Sequence, residues 1–281
     1  MEKYCDLHTH STYSDGTLTP AQLITEAQKQ GLSAIALTDH NTVAGLPAFL
    51  EAAVDSGVEA VPGVEFSTEY REMELHILGL YIRPEHYETV NRLLQQFLDR
   101  KEQANIAMIQ RLNQAGIPLS YEKIRQASAG SINRAVIGAE MVRMGVCESV
   151  KEAFSQWLSP KKGYYIPPKR PDAFETIRFI KSIGAVAVLA HPFLSMDEGM
   201  LQAFLPEAVR AGLDGMEVFY STFDAQTTAL AEEIAEEHGI LKSGGSDFHG
   251  ENKPDIALGS GKGNLQIPLH LLDALKDQLP N

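Results

Sequence analysis

Short, continuously apolar runs alternate with stretches of helical period along this chain, and nearly every run ends in a cluster of polar side chains. Residues 4–8, 34–38, 60–66 and 75–81 read as extended, with 20–30 and 46–56 helical between them. Thr19-Pro20 reads as an N-cap followed by proline at the first helical position, and Gly31 stops that helix. The alternation resumes late in the chain, with 173–182 and 225–238 helical and 186–190, 215–219 and 240–243 extended. Alternation of this kind predicts a parallel sheet covered by helices. The polar ends decide its shape: Asp6-Leu7-His8-Thr9-His10, Thr38-Asp39-His40-Asn41, Glu65-Phe66-Ser67, Ala190-His191-Pro192, Glu217 and Ser246-Asp247-Phe248-His249. An open sheet offers one crevice, whereas a barrel brings many strand ends round one mouth, so a barrel is expected.

From Pro84 the pattern becomes helical throughout. Val90, Leu93, Leu94, Phe97 and Leu98 keep the helical period, Ile106, Ile109 and Leu112 resume it, and 121–126, 135–144 and 149–157 continue it. Pro160-Lys161-Lys162-Gly163 and Pro167-Pro168-Lys169-Arg170-Pro171 mark a return linker. The expected organisation is a barrel from 1–83 and 172–281, with 84–171 as a helical insertion or cap domain.

Charge excludes one class of partner. With 24 basic against 37 acidic residues, a formal charge of -13 and no Lys/Arg block, no DNA-binding surface is expected. No apolar run reaches the roughly 20 residues of a membrane span, and the start lacks a signal-peptide core, so the expected location is the cytoplasm. Cys5 and Cys147 are expected to be buried thiols rather than a disulfide framework. Nothing in the sequence reads out an oligomeric state.

Of nine histidines, six (His8, His10, His40, His76, His191 and His249) lie at or near strand ends, while His86, His238 and His270 lie in helical or loop context. His8 and His10, two apart on a strand, point the same way and can reach one ion. Adding Asp15, Glu65 and Asp247 gives a nitrogen and oxygen donor set without thiolate, which suits Mn, Fe, Zn or Co rather than Ca, Mg or Cu. Nine such groups exceed the ligands of a single catalytic zinc, so at least two ions are implied.

His8-Thr9-His10, Ser14-Asp15-Gly16, Thr38-Asp39-His40-Asn41-Thr42, Pro62-Gly63-Val64-Glu65, His76-Ile77-Leu78-Gly79, Ala190-His191-Pro192 and Gly245-Ser246-Asp247-Phe248-His249 together resemble the motifs of the PHP (polymerase and histidinol phosphatase) superfamily. The resemblance runs over nearly the whole chain. It is narrowest to a short bacterial branch of nucleoside 3',5'-bisphosphate phosphatases and 5'-to-3' exoribonucleases. It implies a distorted (β/α)7, TIM-like barrel with a helical insertion between the strands of His76 and His191. It also implies three divalent ions, manganese foremost with iron or zinc as alternatives. His8, His10, Glu65 and Asp247 would hold one, Glu65, His76 and His191 a second, and Asp15, His40 and His249 the third. The implied substrate is a small phosphorylated one, a nucleotide or the 5' end of a short RNA, hydrolysed by a metal-activated hydroxide. Alternatives are a small-metabolite phosphatase, such as one acting on histidinol phosphate, and a non-catalytic metal-binding regulatory module. Arg134, His191 and His249 are the candidate catalytic residues, with Arg134 a phosphate clamp. Relatives often read Arg-Pro-His at that point, whereas Asn133-Arg134-Ala135-Val136 keeps only the arginine.

Overall fold

The computed structural model describes residues 2–128 and 132–280. Strands β1 (Tyr4–Asp6), β2 (Ala34–Leu37), β3 (Glu59–Tyr70), β4 (Met73–Leu80), β5 (Val186–Leu189), β6 (Gly215–Tyr220) and β7 (Leu241–Gly245) lie side by side in chain order. The short β8 (Ile267–Pro268) pairs antiparallel with β1. The two ends of the row meet just beyond β1 and β7. Leu7 N donates to Gly244 O at 3.2 Å, Asp247 N to His8 O at 2.9 Å and His10 N to Phe248 O at 2.9 Å, with Thr9 and Phe248 bridged in parallel. The sheet therefore closes into a distorted TIM-like barrel, and closure happens where the histidine motifs leave their strands.

Besides the short β8, one strand departs from the parallel sheet expected from alternation. β4 runs antiparallel to both β3 and β5. Arg71 and Glu72, the only residues between Tyr70 and Met73, have φ of 49° and 65°. That two-residue turn suits the twist of a hairpin, and it is far too short for a parallel crossover. His76, paired opposite Ser67, consequently approaches the mouth from the first half of its strand rather than from its end.

The helices are α1 (Pro20–Lys29), α2 (Leu46–Ala53), α3 (Tyr87–Gln114), α4 (Tyr121–Ala127), α5 (Arg134–Arg143), α6 (Val150–Ala153), α7 (Ala173–Ser182), α8 (Glu198–Ala211), α9 (Ala225–His238) and α10 (Leu269–Lys276). Thr19 starts α1 as expected: its hydroxyl accepts from Gln22 N at 3.3 Å while its own N–H donates to Gln22 Oε1 at 2.8 Å. α8 and α10 go beyond the elements read from the sequence. α8 carries Pro206 in its interior, a residue that interrupts any helical reading, yet it buries Leu201, Phe204, Leu205 and Ala208 and is capped by Asp197.

The chain packs as two compact units, Met1–Asn91 with Arg170–Asn281, and Arg92–Lys169. In the first, alternate residues of the strands (Cys5 and Leu7, Ala34 and Ala36, Leu78 and Leu80, Val186 and Val188) form one buried cluster with Ile267 and with Leu272 and Leu275 of α10. Burying each large side chain of this kind contributes roughly 1.5–3 kcal/mol. The second unit has its own core, including Met108, Leu112, Ile137, Met141 and Leu158. Cys5 and Cys147 are free and buried. Among the described residues no helix is long and apolar enough to cross a membrane.

Candidate metal centre

Asp6, His8 and His10 share one side of the β1 extension, and the first of them anchors the others. The buried Asp6 carboxylate accepts from Ser246 N at 2.9 Å, Ser246 Oγ at 2.6 Å and Gly259 N at 2.8 Å, tying the segment of His8 to the segment of Asp247. His191 and Asp247 stand just past β5 and β7 with φ of 28° and 56°. Such left-handed backbone at non-glycine residues costs on the order of 1–3 kcal/mol and is retained where the surroundings enforce it. Here Glu217 Oε2 accepts from His191 N at 2.7 Å and His8 O from Asp247 N at 2.9 Å.

Glu65 stands at the middle. Its Oε2 lies 2.8 Å from His40 Nδ1 and 3.3 Å from both His8 Nε2 and His10 Nε2. Its Oε1 lies 2.6 Å from His76 Nδ1 and 3.1 Å from His191 Nε2. Asp247 Oδ1 is 3.1 Å from His10 Nε2 and 3.7 Å from His8 Nε2. Asp15 Oδ1 is 3.2 Å from His249 Nε2 and 3.8 Å from His40 Nε2. All nine residues singled out as ligands are thus neighbours. Their donor atoms fall into four groups, each within 4.8 Å: His10, Asp15, His40 and His249; His8, Glu65 and His191; His8, His10 and Asp247; and His40, Glu65 and His76. His10 thus joins the group of Asp15, His40 and His249, and Glu65 is shared by two. His86, His238 and His270 belong to none of these groups, and His238 instead bonds Gln202 Oε1 at 2.7 Å.

These residues fit divalent metal ions on an observation independent of spacing. His8 Nε2, His10 Nε2, Asp15 Oδ1, His40 Nδ1 and Glu65 Oε2 are buried without a hydrogen-bond partner. Each such atom costs about 1–3 kcal/mol unless something else satisfies it. A nitrogen and oxygen donor set of this kind suits transition-metal dications. The electrostatics say the same. Burial opposes a charge on His8, but Glu217, Glu65 and Asp247 outweigh it and hold its pKa well above the usual value. Burial likewise opposes His76, which Glu65 and Glu74 push up to about 10. Burial, together with His249 and His40, drives His10 down to about 3. Burial would raise Glu65 and Asp247, yet the surrounding histidines hold both well below the carboxylate range. The carboxylates thus draw positive charge into the cluster, in the place where cations would sit.

A supporting ring was only partly visible from sequence. Glu217, seen as a strand-end polar residue but given no role, accepts from His8 Nδ1 at 3.0 Å. Asp39 accepts from Ser11 N at 2.7 Å and from the hydroxyls of Ser11 and Ser14 at 2.6 Å each, fixing the loop between His10 and Asp15. Tyr220 and Lys253 both donate to Asp247 Oδ2, at 2.7 and 2.6 Å. Arg170 reaches Glu74 at 2.5 Å, and Glu74 lies 3.5 Å from His76 Nε2. Most of these contacts join segments distant in sequence, a relation that no periodic signal records. Arg134 opens α5 in the other unit, where its guanidinium lies 4.5 Å from the centre of the Tyr165 ring and Nη1 donates to Leu158 O at 3.4 Å.

A model of the PHP domain matches residues 6–166. The chain belongs to the PHP domain family. Full-length relatives extend the likeness past that boundary, over about nine tenths of the chain. This PHP chain is 32% identical over 250 residues to a 5'-3' exoribonuclease of Haemophilus influenzae, covering 89% of this chain and 91% of the relative. It is 31% identical over 259 residues to a 3',5'-nucleoside bisphosphate phosphatase of Chromobacterium violaceum, covering 89% and 90%. A solved structure from Bifidobacterium adolescentis, assigned as a metal-dependent phosphoesterase, superposes with a TM-score of 0.84 at 28% identity, covering 99% of this chain and 97% of that one.

Proposed function

We propose that this PHP chain is a metal-dependent phosphoric ester hydrolase acting on nucleotides, either removing the 3'-phosphate of nucleoside 3',5'-bisphosphates or working inward from the 5' end of short RNA. The observation that carries this reading is the set of buried donor atoms without hydrogen bonds at the mouth. The named relatives support the substrate class. Three ions are proposed, manganese foremost with iron or zinc as alternatives. His8, His10, Glu65 and Asp247 would hold one, Glu65, His76 and His191 another, and Asp15, His40 and His249 the third, with His10 nearby. When bound, such ions supply hydroxide at neutral pH and neutralise charge building on phosphoryl oxygens.

The chain's own residues prepare for this. His8 Nδ1–H donates to Glu217, so that Nε2, which faces Glu65 and Asp247, is the nitrogen that would hold an ion. His249 Nδ1–H donates to Asp247 O at 2.8 Å, which leaves its Nε2 facing Asp15. With one ring nitrogen occupied, His249 has a single nitrogen to offer the site, and His191 likewise offers Nε2 toward Glu65. The helical insertion is proposed as a cap and its Arg134 as the holder of a second phosphate, a task suited to a planar, always-charged fork. Two unpaired buried thiols suit a reducing, cytoplasmic setting.

The test is elemental analysis after manganese reconstitution, followed by phosphate release from adenosine 3',5'-bisphosphate, AMP, histidinol phosphate and a short 5'-phosphorylated RNA. Two to three ions per chain are expected, with the bisphosphate or the RNA far better than AMP. Arg134→Ala should narrow that preference by about 1.5–3 kcal/mol, the worth of a hydrogen bond to a charged group. One ion or none would remove the multinuclear mechanism. Equal kcat/KM for the bisphosphate and AMP would remove the second-phosphate clamp, and a preference for histidinol phosphate would make the protein a metabolite phosphatase.

A further inference from the structure

We propose that Lys253 is a substrate-phosphate contact of this site, an inference that rests on the phosphoester reading above. Its Nζ lies 2.6 Å from Asp247 Oδ2, and the other oxygen of that carboxylate lies 3.1 Å from His10 Nε2. One carboxylate therefore separates the ammonium from the cluster. The Lys253 side chain is 37% exposed, so it also borders the solvent from which substrate arrives.

Two observations favour phosphate contact over mere support of Asp247. Tyr220, itself buried, already donates to the same Oδ2 at 2.7 Å, so the carboxylate is oriented from the protein side without the lysine. An ammonium also has three donors, and Asp247 takes one of them. Arg170 makes a useful contrast: its side chain is only 12% exposed and reaches the cluster through Glu74 and His76. Lys253, by contrast, pairs directly with a candidate ligand and still meets solvent.

Its backbone is held by the site as well. Lys253 N donates to Gly250 O at 3.1 Å, closing the turn Gly250–Asn252. That turn is pinned to the loop of Asp15, since Asn252 Nδ2 donates to Asp15 O at 2.7 Å and Glu251 N to Thr17 Oγ1 at 3.0 Å. The stem of Lys253 is therefore anchored to the segments of two candidate ligands, Asp15 and His249. A phosphate held near the ions meets Asp15, Glu65 and Asp247, three groups that repel it, and a neighbouring ammonium offsets that repulsion.

The test compares manganese-reconstituted wild type with Lys253→Met and Lys253→Arg. Metal content is measured by elemental analysis, inorganic phosphate binding by calorimetry, and KM and kcat on the best substrate of the panel above. Lys253→Met should keep the wild-type metal content, bind inorganic phosphate about tenfold more weakly and raise KM about tenfold with kcat changed much less. Lys253→Arg should recover most of both losses. Unchanged phosphate affinity in Lys253→Met overturns the proposal. Loss of metal in Lys253→Met overturns it too, because the lysine would then act only through Asp247. If wild type hydrolyses no phosphoester, the functional reading fails on its own, while the phosphate titrations still decide whether Lys253 binds the anion.

Discussion

Replacing Glu217 by Gln changes one atom of a fully buried side chain, and that atom matters. Glu217 Oε1 accepts from His8 Nδ1 at 3.0 Å and Oε2 from His191 N at 2.7 Å, so both ends of the group are acceptors. A glutamine side chain has one accepting and one donating end. The backbone N–H of His191 cannot change its character, so it will keep the amide oxygen, and the amide NH2 then faces His8 Nδ1. His8 has two responses. It can move its proton to Nε2, which aims an N–H at Glu65 and Asp247 and withdraws one lone pair from the ion site. Or it can keep the proton, leaving two donors face to face in a buried place at about 1–3 kcal/mol. Loss of the outer partner of a metal-ligating histidine typically lowers affinity about 10–100-fold, or about 1.4–2.7 kcal/mol, so both responses predict a change of the same order. Calorimetric titration of metal-stripped protein with manganese measures it directly. The affinity of Glu217→Gln should fall about 10–100-fold, and the rise in Tm produced by a fixed manganese concentration should shrink accordingly. Equal manganese affinity in the two proteins would refute the claim that Glu217 sets the proton position on His8.

Asp6→Asn meets the same acceptor problem one layer lower, because Oδ1 accepts from Ser246 N and Oδ2 from both Gly259 N and Ser246 Oγ. Whichever way the amide turns, its NH2 faces a buried backbone N–H, and the protein should lose about 2–4 kcal/mol, seen as a fall in Tm of roughly 5–15 °C; an unchanged Tm would show that Asp6 does not brace the barrel closure. Asp15→Ala, Glu65→Ala and His191→Ala should each lower kcat by at least about a hundredfold with the fold retained by circular dichroism, whereas His238→Ala, on a helix and bonded to Gln202, should leave kcat unchanged. Equal losses for His191→Ala and His238→Ala would contradict the division of the histidines into cluster members and bystanders.

Much of the barrel was legible because burial leaves a period in the sequence. Strands such as Ala34–Leu37 and Val186–Leu189 are buried along their whole length and read as unbroken apolar runs. Helices such as α1 carry their own punctuation in Thr19, Pro20 and Gly31. α8 was not legible, since Pro206 breaks the pattern that Leu201, Phe204, Leu205 and Ala208 would otherwise make plain. The reversal of β4 was recoverable in principle: two residues between Tyr70 and Met73 leave room for a hairpin alone.

The site divides along a different line. A ligand candidate on a strand end is a residue type at a position, and both are written in the sequence. Its supporting partner is a relation between distant segments, as with Asp6 and Gly259 or Lys253 and Asp247. Glu65 and Glu217 show how far the first kind of signal reaches. Both are strand glutamates with no exposed surface, and residue type cannot rank them. The backbone separates them. β6 pairs with β7 through a register shift between Glu217 and Phe219, the kind of irregularity that re-aims a side chain. Glu65 instead lies in the unbroken pairing of β3 with β4, and its oxygens face five imidazoles. Glu217 turns its oxygens to the far nitrogen of His8 and to the His191 backbone, behind the donor atoms rather than among them. One glutamate is thereby placed to share cations and the other to hold the ring that does so, a difference of surroundings that no period of two or of 3.6 records.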